Sequence, residues 1–229
     1  MKLGKTIVIH QPDFIPYLGF FHRLYLGDLF VVLDHVQLLV KGWHNRDKIK
    51  GPHGEQWLTV PIDRGVKRPA INEARVDRNQ NWRNKHLQTI SHFYKKAPYF
   101  RNLFPEITRI YQAGHEKLID FNMAFLDFFC SYFGVTTPNV FSSQLGVSSK
   151  KSHLILDSVL ACGGNCYLSG EGARDYLDTK LFKKAGVRVT WQDFEHPRYP
   201  QLHGKFIPYL SCLDFAMNCG SGLPHYLNQ

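Results

Sequence analysis

A disulfide framework, a long apolar run and a metal-binding motif are all missing from this sequence of 229 residues. The five cysteines are an odd number in a chain too long to need disulfide staples, and no double CxxC pattern indicates a zinc site. No stretch approaches the roughly 18 consecutive apolar residues that would span a bilayer. The first apolar run, residues 7–9, is too short for the core of a secretory signal. We therefore expect a cytoplasmic protein with reduced cysteines, no bound metal and no membrane partner.

Positive charge is in clear excess. The sequence has 28 Lys and Arg against 19 Asp and Glu, a formal net charge of +9, and such a surface attracts anions, phosphates among them. The basic residues are spread over residues 41–101 and 150–205, whereas a nucleic-acid binder usually concentrates them in one patch or arm. We therefore expect a small phosphorylated substrate and not a nucleic acid.

The composition is that of a globular protein, since apolar residues make up 44% of the chain and charged residues 21%. No internal repeat or low-complexity tract divides the sequence. Its length fits one large domain as well as two small ones. We favour a single domain over residues 1–229.

The order of the predicted elements indicates an α/β fold. Residues 6–9 and 29–33 are short apolar runs, and residues 20–26 between them have helical periodicity, which together predict a βαβ unit. Such a unit implies a parallel sheet covered by helices. The other predicted elements are strands at 56–62, 140–141, 166–168 and 187–191, helices at 152–161 and 173–185, and an insertion of three or four helices at about 80–135. The predicted fold class is thus a parallel, Rossmann-like sheet flanked by helices, with a helical layer inserted in the middle of the chain.

Polar side chains follow the first two predicted strands at the point where each strand ends. His10 and Gln11 follow the first strand, and Asp34 and Gln37 follow the second. Ligands of open parallel sheets bind beyond the carboxyl ends of the strands, so we expect these side chains to converge on one place. The alternative is that His10 is a core histidine and that Asp34 caps a turn.

A segment after the second strand alternates basic and hydrogen-bonding residues behind an aromatic residue. Arg46 fits a phosphate, Asn45 fits a polar group of a substrate, and Trp43 offers a stacking face for a base or a sugar. The alternative for this segment is a solvated loop. His86 and Tyr94 share a predicted helix face and are further candidates for substrate binding, with packing in the core as the alternative.

Two later segments supply more candidates. Ser169 and Gly170 follow a predicted strand and precede a predicted helix, so their backbone N–H groups could receive an anion, although P-loop spacing is absent. A second loop of this kind surrounds Ser149, where the alternative is a helix N-cap. Near the C-terminus, polar residues stand within an apolar frame, and we expect this segment to fold back over the βαβ unit and complete its site. These polar residues are Tyr199, Gln201, Ser211, Asp214 and Asn218.

In this order, the short motifs of the chain resemble the WbqC-like protein family almost end to end. The motifs are His10-Gln11-Pro12 with Pro16 and Gly19, Leu33-Asp34-His35-Val36-Gln37, Trp43 with Asn45-Arg46, Leu58-Thr59-Val60-Pro61, Trp82 with His86, Tyr94 with Ala97-Pro98-Tyr99, Tyr167-Leu168-Ser169-Gly170, Tyr199 with Gln201, Phe206-Ile207-Pro208, and Ser211 with Asp214, Asn218 and Gly220. The resemblance implies a bacterial protein associated with surface-polysaccharide gene clusters, including those for lipopolysaccharide O-antigen, that make modified amino sugars. One departure is His35, where the family pattern leads us to expect a second acidic residue.

The opening of the chain is also similar to the nucleotidylyltransferase and pantothenate-synthetase superfamily, whose members bind ATP. The similarity covers a strand, a loop with Pro and Gly, a helix, and a strand followed by Asp. The paired histidines of that superfamily are not reproduced, since only His22 lies near the expected place. ATP is therefore the one cofactor that the sequence suggests.

Three functions are compatible with these candidates. The first is a transferase or ligase that acylates or aminoacylates a nucleotide-linked amino sugar, with His10 as general base, Asp34 orienting it and Arg46 binding the diphosphate. The second is ATP-dependent activation of a carboxylate by nucleotidyl transfer, and the third is a non-catalytic nucleotide- or RNA-binding module. The candidate catalytic residues are His10, Asp34 and Asp214. We expect Asn45 and Arg46 to line the same cleft as His10 and Asp34.

Overall fold

The computed structural model of the protein describes residues 4–39, 41–63, 65–78 and 81–227. The chain divides into two compact units. Unit 1 comprises Met1–Gln11, Gly19–His35 and Val135–Glu195, and unit 2 comprises Pro12–Leu18, Val36–Gly134 and His196–Gln229. The single domain expected over residues 1–229 stays a prediction.

The helices and strands of the described residues are numbered in chain order. They are β1 Thr6–His10, α1 Leu18–Leu26, β2 Leu29–Val32, β3 Arg46–Gly51, β4 Gly54–Thr59, α2 Trp82–Tyr94, α3 Phe100–Gln112, α4 Leu118–Phe133, β5 Asn139–Phe141, α5 Lys151–Ala161, β6 Cys166–Ser169, α6 Thr179–Lys184, β7 Arg188–Trp191, α7 Cys212–Cys219 and α8 Leu223–Leu227. One 3-10 turn follows β5 directly, and another follows β6 after Gly170. Among the helices of the described residues, none combines the length and the apolar character that a membrane crossing requires.

Unit 1 is built on a five-stranded sheet with the strand order β5-β2-β1-β6-β7. Every neighbouring pair of strands is parallel. The strands are short and apolar because helices flank the sheet and leave little of it in contact with water. Ile7 and Ile9 of β1 and Val31 of β2 belong to one buried cluster with Val159 of α5 and Phe182 of α6. The predicted α/β fold with a parallel, Rossmann-like sheet is confirmed.

The strand order determines where a ligand crevice opens. From β1 the chain adds β2 and then β5 on one side of the sheet, and later it adds β6 and β7 on the other side. The connections that leave β1 and β6 therefore run in opposite directions, which makes a topological switch point between these two strands. In open parallel sheets the ligand crevice lies at such a point, outside the carboxyl ends of the strands. The residues that follow β1 and β6 are therefore the first candidates for a site.

Unit 2 contains the helical layer inserted in the middle of the chain. The helices α2, α3 and α4 follow one another, with the breaks near Pro98 and Gly114 that the sequence indicates. The predicted insertion is confirmed, while its expected first residue, Gln80, lies outside the described residues. Before these helices, β3 and β4 form an antiparallel hairpin in which Arg46 pairs with Thr59.

The hairpin corrects two local expectations. The solvated-loop alternative for the segment after Trp43 is wrong from Arg46 onwards, because Arg46–Gly51 form β3 and pair with β4. The strand predicted at residues 56–62 does form as β4, but it ends at Thr59 and belongs to the two-stranded sheet, not to the parallel one. The residue pattern indicates that a segment forms a strand. The strand with which this segment pairs is determined by the tertiary structure.

The helix predicted over residues 173–185 is also corrected, since it forms only as α6. The N–H of Asp178 donates to Ser152 Oγ in α5 at 3.0 Å, and the Asp178 carboxylate accepts from the N–H of Lys180 at 3.1 Å. This second contact is a side-chain N-cap, which starts a helix. A tertiary contact with α5 and a local cap therefore set the helix start later than the apolar periodicity does.

The core of unit 2 is aromatic and encloses a histidine. The His86 ring lies 5.3 Å from the Trp82 ring and 5.7 Å from the Tyr111 ring. Its Nδ1 is 3.0 Å from the Tyr111 hydroxyl. Burial lowers the pKa of His86 to about 4, so the imidazole is neutral at neutral pH. This is the core placement considered in the sequence analysis, and the role of His86 in substrate binding stays a prediction.

We predict that replacing His86 with Gln reduces the acid sensitivity of folding. Below the ordinary histidine pKa of about 6.5, His86 is protonated in the unfolded chain but stays neutral in the folded core. The free energy of unfolding is therefore highest above pH 6.5 and falls towards pH 4. The pKa shift corresponds to a loss of about 3 kcal/mol over this window. The measurement is the free energy of unfolding from urea titrations between pH 7.5 and 4.

The control is His92→Gln, because His92 is an exposed histidine on the same helix. This variant should lose stability with acid as the unmodified protein does. An unchanged pH slope in the His86→Gln protein would contradict the assignment of a neutral, buried imidazole.

Candidate active site

The candidate site begins at His10, the last residue of β1. The side chain is half-buried, and its Nδ1 lies 2.9 Å from the carbonyl oxygen of Gln11. A carbonyl oxygen only accepts hydrogen bonds, so Nδ1 carries the proton and Nε2 is the basic nitrogen of the neutral ring. The ring also stands edge-on to Phe20, with centroids 5.2 Å apart. His10 is therefore held in one tautomer at the carboxyl edge of the sheet.

Ser169 and Gly170 reach the same edge from β6. Val8 of β1 pairs with Leu168 of β6, so the next residues of both strands run side by side to the edge. Ser169 is buried, and its hydroxyl lies 3.4 Å from the Tyr167 hydroxyl. The predicted candidates that the switch point brings to this edge are His10, Gln11, Ser169 and Gly170.

Arg23 of α1 lies at this edge as well and was not among the residues predicted from the sequence. The residue is only 6% exposed, and its Nη1 would lie 2.5 Å from a Cβ atom placed on Gly170. The sequence offered one signal for this position, because Arg23 is a basic residue within the otherwise largely apolar helix that follows β1. Such a residue is usually a solvated one, and only the position of β6 shows that it is enclosed.

Asp34 stands beyond β2, next to the end of β5. Its carboxylate accepts hydrogen bonds from the Ser143 hydroxyl at 2.6 Å, the Ser143 N–H at 2.9 Å and the Ser142 hydroxyl at 2.9 Å. Burial alone would raise the pKa of Asp34, but the bonds from Ser143 and Ser142 outweigh burial and lower the pKa below its ordinary value. Nδ1 of His35 lies 2.7 Å from the Ser142 oxygen. Asp34 is therefore a fixed carboxylate, ionised at neutral pH, and both serines were missed because they lie over 100 residues away in sequence.

His22, the residue before Arg23, contacts the end of β7. The Gln192 amide nitrogen donates to the Gly19 carbonyl at 2.7 Å and lies 2.9 Å from His22 Nδ1. Burial lowers the pKa of His22, the positive charge of Arg23 adds to this effect, and Asp193 opposes it. His22 is therefore a neutral imidazole that accepts from Gln192, and α1 is tied to β7 by this contact.

The C-terminal candidates of unit 2 form a buried network around Asp214. Its two carboxylate oxygens accept from the Tyr94 hydroxyl at 2.7 Å and from the Tyr199 hydroxyl at 3.0 Å. Burial raises the pKa of Asp214, while the two tyrosine hydroxyls oppose the rise. The Tyr94 oxygen also accepts from the N–H of Lys50 at 2.9 Å. Three predicted candidates, Tyr94, Tyr199 and Asp214, are thus in direct contact.

Lys50 extends this network to Gln201 and was missed from the sequence. Its ammonium donates to Gln201 Oε1 at 3.0 Å and to the Lys205 carbonyl at 2.6 Å. The same Gln201 amide accepts from the Ile207 N–H and donates to the Ile207 carbonyl, both at 2.9 Å. Lys50 belongs to a basic stretch of the sequence, in which nothing marks the one lysine that becomes buried.

Ser211 and Asn218 lie at either end of α7. The Ser211 hydroxyl accepts from the N–H of Leu213 at 3.2 Å and so caps the helix, and the Asn218 amide donates to the Asp214 carbonyl at 2.7 Å. Within unit 2, Ser211 also forms a β-bridge with Tyr17 of the loop that follows β1. The C-terminal segment is therefore joined to that loop, whereas its role in completing the site of His10 stays a prediction.

The β3–β4 hairpin presents a second polar and aromatic group. The rings of Trp43 and Trp57 are 5.7 Å apart, and the Arg46 guanidinium lies 4.2 Å above the Trp57 ring. Asn45 is buried, and its amide donates to the Val60 carbonyl at 2.9 Å. Trp43 and Arg46 are thus brought together on one surface, while Asn45 points inward.

The remaining candidates lie outside these groups. Gln37 is exposed and bridges Ala70 at a strand-like contact. The Ser149 hydroxyl donates to Asp157 at 2.6 Å, so a carboxylate already stands at this helix start and disfavours an anion there. All five cysteines are free thiols. Across the described residues, no group of three or more His, Cys, Asp or Glu side chains could hold a metal ion.

The fold and the site define a class: an α/β protein with a Rossmann-like parallel sheet and a polar, largely enclosed group at its switch point. The chain belongs to the WbqC-like protein family, whose sequence profile matches residues 11–225. It is 32% identical over 226 residues to the uncharacterized protein Rv1507c of Mycobacterium tuberculosis, and the match covers 97% of each chain. No solved structure is significantly similar to the chain. The resemblance inferred from the short motifs is confirmed.

We predict that Ser143→Ala lowers the free energy of unfolding at pH 7 by about 1–3 kcal/mol, because it removes a donor to a buried, charged carboxylate. The pKa of Asp34 is lowered in the folded state, so its stabilising effect is present above the ordinary value of 3.8 and is lost as the pH falls through the folded pKa. The difference in free energy of unfolding between the Ser143→Ala variant and the unmodified protein should therefore become smaller below the folded-state pKa of Asp34. Chemical denaturation at pH 7 and pH 3 measures it.

Ser158→Ala is the matched control. The Ser158 hydroxyl is buried, whereas Ser143 is an exposed residue, and it donates to the neutral Leu154 carbonyl of its own helix at 2.7 Å. Ser158→Ala should lower the free energy of unfolding by less than Ser143→Ala does, and this loss should not depend on pH. Equal and pH-independent losses in both variants would show that the Asp34 carboxylate is not held in the way described.

Proposed function

We propose that the protein is an enzyme that binds a nucleotide-linked amino sugar at the switch point of unit 1 and transfers an acyl or aminoacyl group to its amine. The observation that carries the proposal is the placement of His10 beside β6 at the carboxyl edge of the sheet. Nucleotides and other phosphorylated ligands bind parallel sheets at this position. The net charge of +9 favours such anionic ligands.

In this proposal His10 is the general base. The Gln11 carbonyl fixes its tautomer, so Nε2 can take a proton from the sugar amine as the amine nitrogen attacks the acyl carbon. The new bond is the amide C–N bond, the bond between the acyl carbon and its leaving group breaks, and the leaving group accepts the proton from His10. Asp34 contributes a fixed negative charge at the neighbouring strand end, which favours a protonated His10 during the reaction.

Family membership supports the substrate in this proposal. The WbqC-like family is the one that the sequence resemblance links to surface polysaccharides and modified amino sugars, including those of lipopolysaccharide O-antigen. A sugar linked to a nucleotide would bring a diphosphate to the switch point and an amine to His10. The enzyme would then act in the cytoplasm as a transferase or ligase.

A thermal-shift screen tests the substrate class. A ligand that binds only the folded state raises the melting temperature by mass action. Nucleotide-linked amino sugars should raise the melting temperature more than ATP or a single-stranded RNA does. A shift with ATP alone would instead favour carboxylate activation by nucleotidyl transfer, and no shift with any nucleotide would refute the proposal.

We predict that His10→Ala abolishes acyl transfer while the protein stays folded. His10 is half-buried at a strand end, so its removal leaves the core intact. Turnover should fall by about 100-fold or more, as expected for a general base. The measurement is amide formation on a nucleotide-linked amino sugar that passes the thermal-shift screen.

The control is His153→Ala, because His153 is exposed on α5 in the same unit. This variant should retain full turnover. If His10→Ala unfolds the protein, or if it retains turnover, His10 is not the base.

A second function is favoured by the exposed tryptophans of the hairpin. Trp43 and Trp57 are 51% and 36% exposed, and Arg46 stacks on Trp57. Exposed aromatic rings beside a guanidinium form a surface on which bases stack, without any need for catalysis. This favours a module that binds single-stranded RNA or a nucleotide base.

We predict for this second function that Trp57→Ala weakens binding of a single-stranded oligoribonucleotide by at least about tenfold, since one stacked base contributes about 1–3 kcal/mol. Fluorescence anisotropy with a labelled oligonucleotide measures the affinity. Tyr176→Ala removes another exposed aromatic ring, 74% exposed in unit 1, and should leave the affinity unchanged. Equal affinities in both variants, or no binding by the unmodified protein, would exclude this function.

A further inference from the structure

Arg23 is a largely enclosed cation for which the described residues supply no partner. The residue is 6% exposed. Within the part of the chain that the structure describes, Arg23 forms no hydrogen bond and no ion pair with another residue. Arg83 differs, since it is only half-buried and its Nη2 donates to the His115 carbonyl at 2.7 Å, although its Nε has no partner. A guanidinium has five N–H donors, and enclosed arginines are normally paired.

The groups that the structure places around Arg23 include two neutral polar rings, those of Tyr167 and His22. The guanidinium lies close enough to the Tyr167 phenol to lower its pKa, against the larger effect of burial that raises it. The neighbouring His22 is a neutral ring engaged with Gln192. None of these groups neutralises the positive charge of Arg23. A buried charge that lacks a counter-charge is strongly unfavourable.

Gly170 provides the space that the guanidinium uses. A Cβ atom at residue 170 would lie 2.5 Å from Arg23 Nη1 and 3.3 Å from Arg23 Cζ. The φ angle of Gly170 is −74°, which any residue adopts, so the backbone conformation does not require glycine there. The requirement is steric: a side chain at residue 170 would push the guanidinium away from the end of β6.

We propose that Arg23 binds a phosphate oxygen of the ligand at the switch point between β1 and β6. The planar guanidinium matches two phosphate oxygens at once, and the crevice at the carboxyl ends of β1 and β6 is where the phosphates of nucleotide ligands lie in Rossmann-like sheets. The inference rests on the proposed function for the identity of the ligand as a nucleotide. It assigns the phosphate to unit 1 and to a residue outside the short motifs of the family resemblance.

The first test needs no ligand. Arg23→Met keeps the length of the side chain and removes its charge, so the ligand-free variant should melt at the same temperature as the unmodified protein or higher. Replacing buried charges with apolar groups of similar volume is often neutral or stabilising. The control Arg83→Met breaks a hydrogen bond that the fold does make and should lower the melting temperature. A clear drop for Arg23→Met would mean that Arg23 serves the fold, and would overturn the proposal.

The second test measures affinity by calorimetry for uridine 5′-diphosphate, ATP, inorganic pyrophosphate and uridine. Arg23→Met should weaken binding of the phosphorylated probes by about 10- to 100-fold, in line with the loss of hydrogen bonds to a charged group. Uridine carries no phosphate, so its affinity should not change. Gly170→Ala should reproduce the loss in a protein that keeps Arg23, because the new methyl group displaces the guanidinium.

The pattern of results separates this inference from the proposed function. If a nucleotide binds the unmodified protein and Arg23→Met equally well, the function stands and Arg23 is not the phosphate ligand. If only pyrophosphate binds, and binding depends on Arg23, the phosphate site stands and the nucleotide substrate is wrong. If no phosphorylated probe binds the unmodified protein, both are wrong.

Discussion

The pairing of β1 with a parallel strand on each side is the constraint on which unit 1 depends. β1 hydrogen-bonds to β2 on one edge and to β6 on the other, so the chain has to leave the sheet in opposite directions after these strands. No single connecting helix can then cover the carboxyl ends of both β1 and β6. The crevice that results is a consequence of strand order alone, and the residues that end the strands, His10 and Ser169 among them, become its walls.

Buried polar groups divide into those that the fold satisfies and those that it does not. The carboxylates of Asp34 and Asp214 each have at least two hydrogen-bond donors, and the Lys50 ammonium has two acceptors. Such satisfied groups fix the local geometry, since any loss of a partner leaves a buried group unpaired. Arg23 has no equivalent set of partners among the described residues. In our proposal Arg23, which lies at the ligand crevice, meets its partner from outside the chain.

The fold was largely predictable because its signals are local. Short apolar runs predicted β1, β2, β6 and β7, with β-branched residues in all of these except β6, and helical periodicity predicted α1, α5 and the inserted layer. The errors share one cause, namely contacts with distant parts of the chain. The hairpin partner of β4 is β3 and not the main sheet, and α6 begins late because Asp178 bonds to Ser152 across the space between two elements.

The sequence by itself determined the parallel α/β class, the family, and the presence of His10, Asp34 and Ser169 at strand ends, because strand ends and short motifs are read directly from residue order. Only the tertiary structure decided the strand order, which places β6 beside β1, and the partners of the buried polar groups. Ser142 and Ser143 meet Asp34, Lys50 meets Gln201, and Arg23 meets Gly170 across 108 to 151 residues of chain. Residue order carries no sign of such meetings, since they depend on packing, which brings together side chains that are individually unremarkable in sequence.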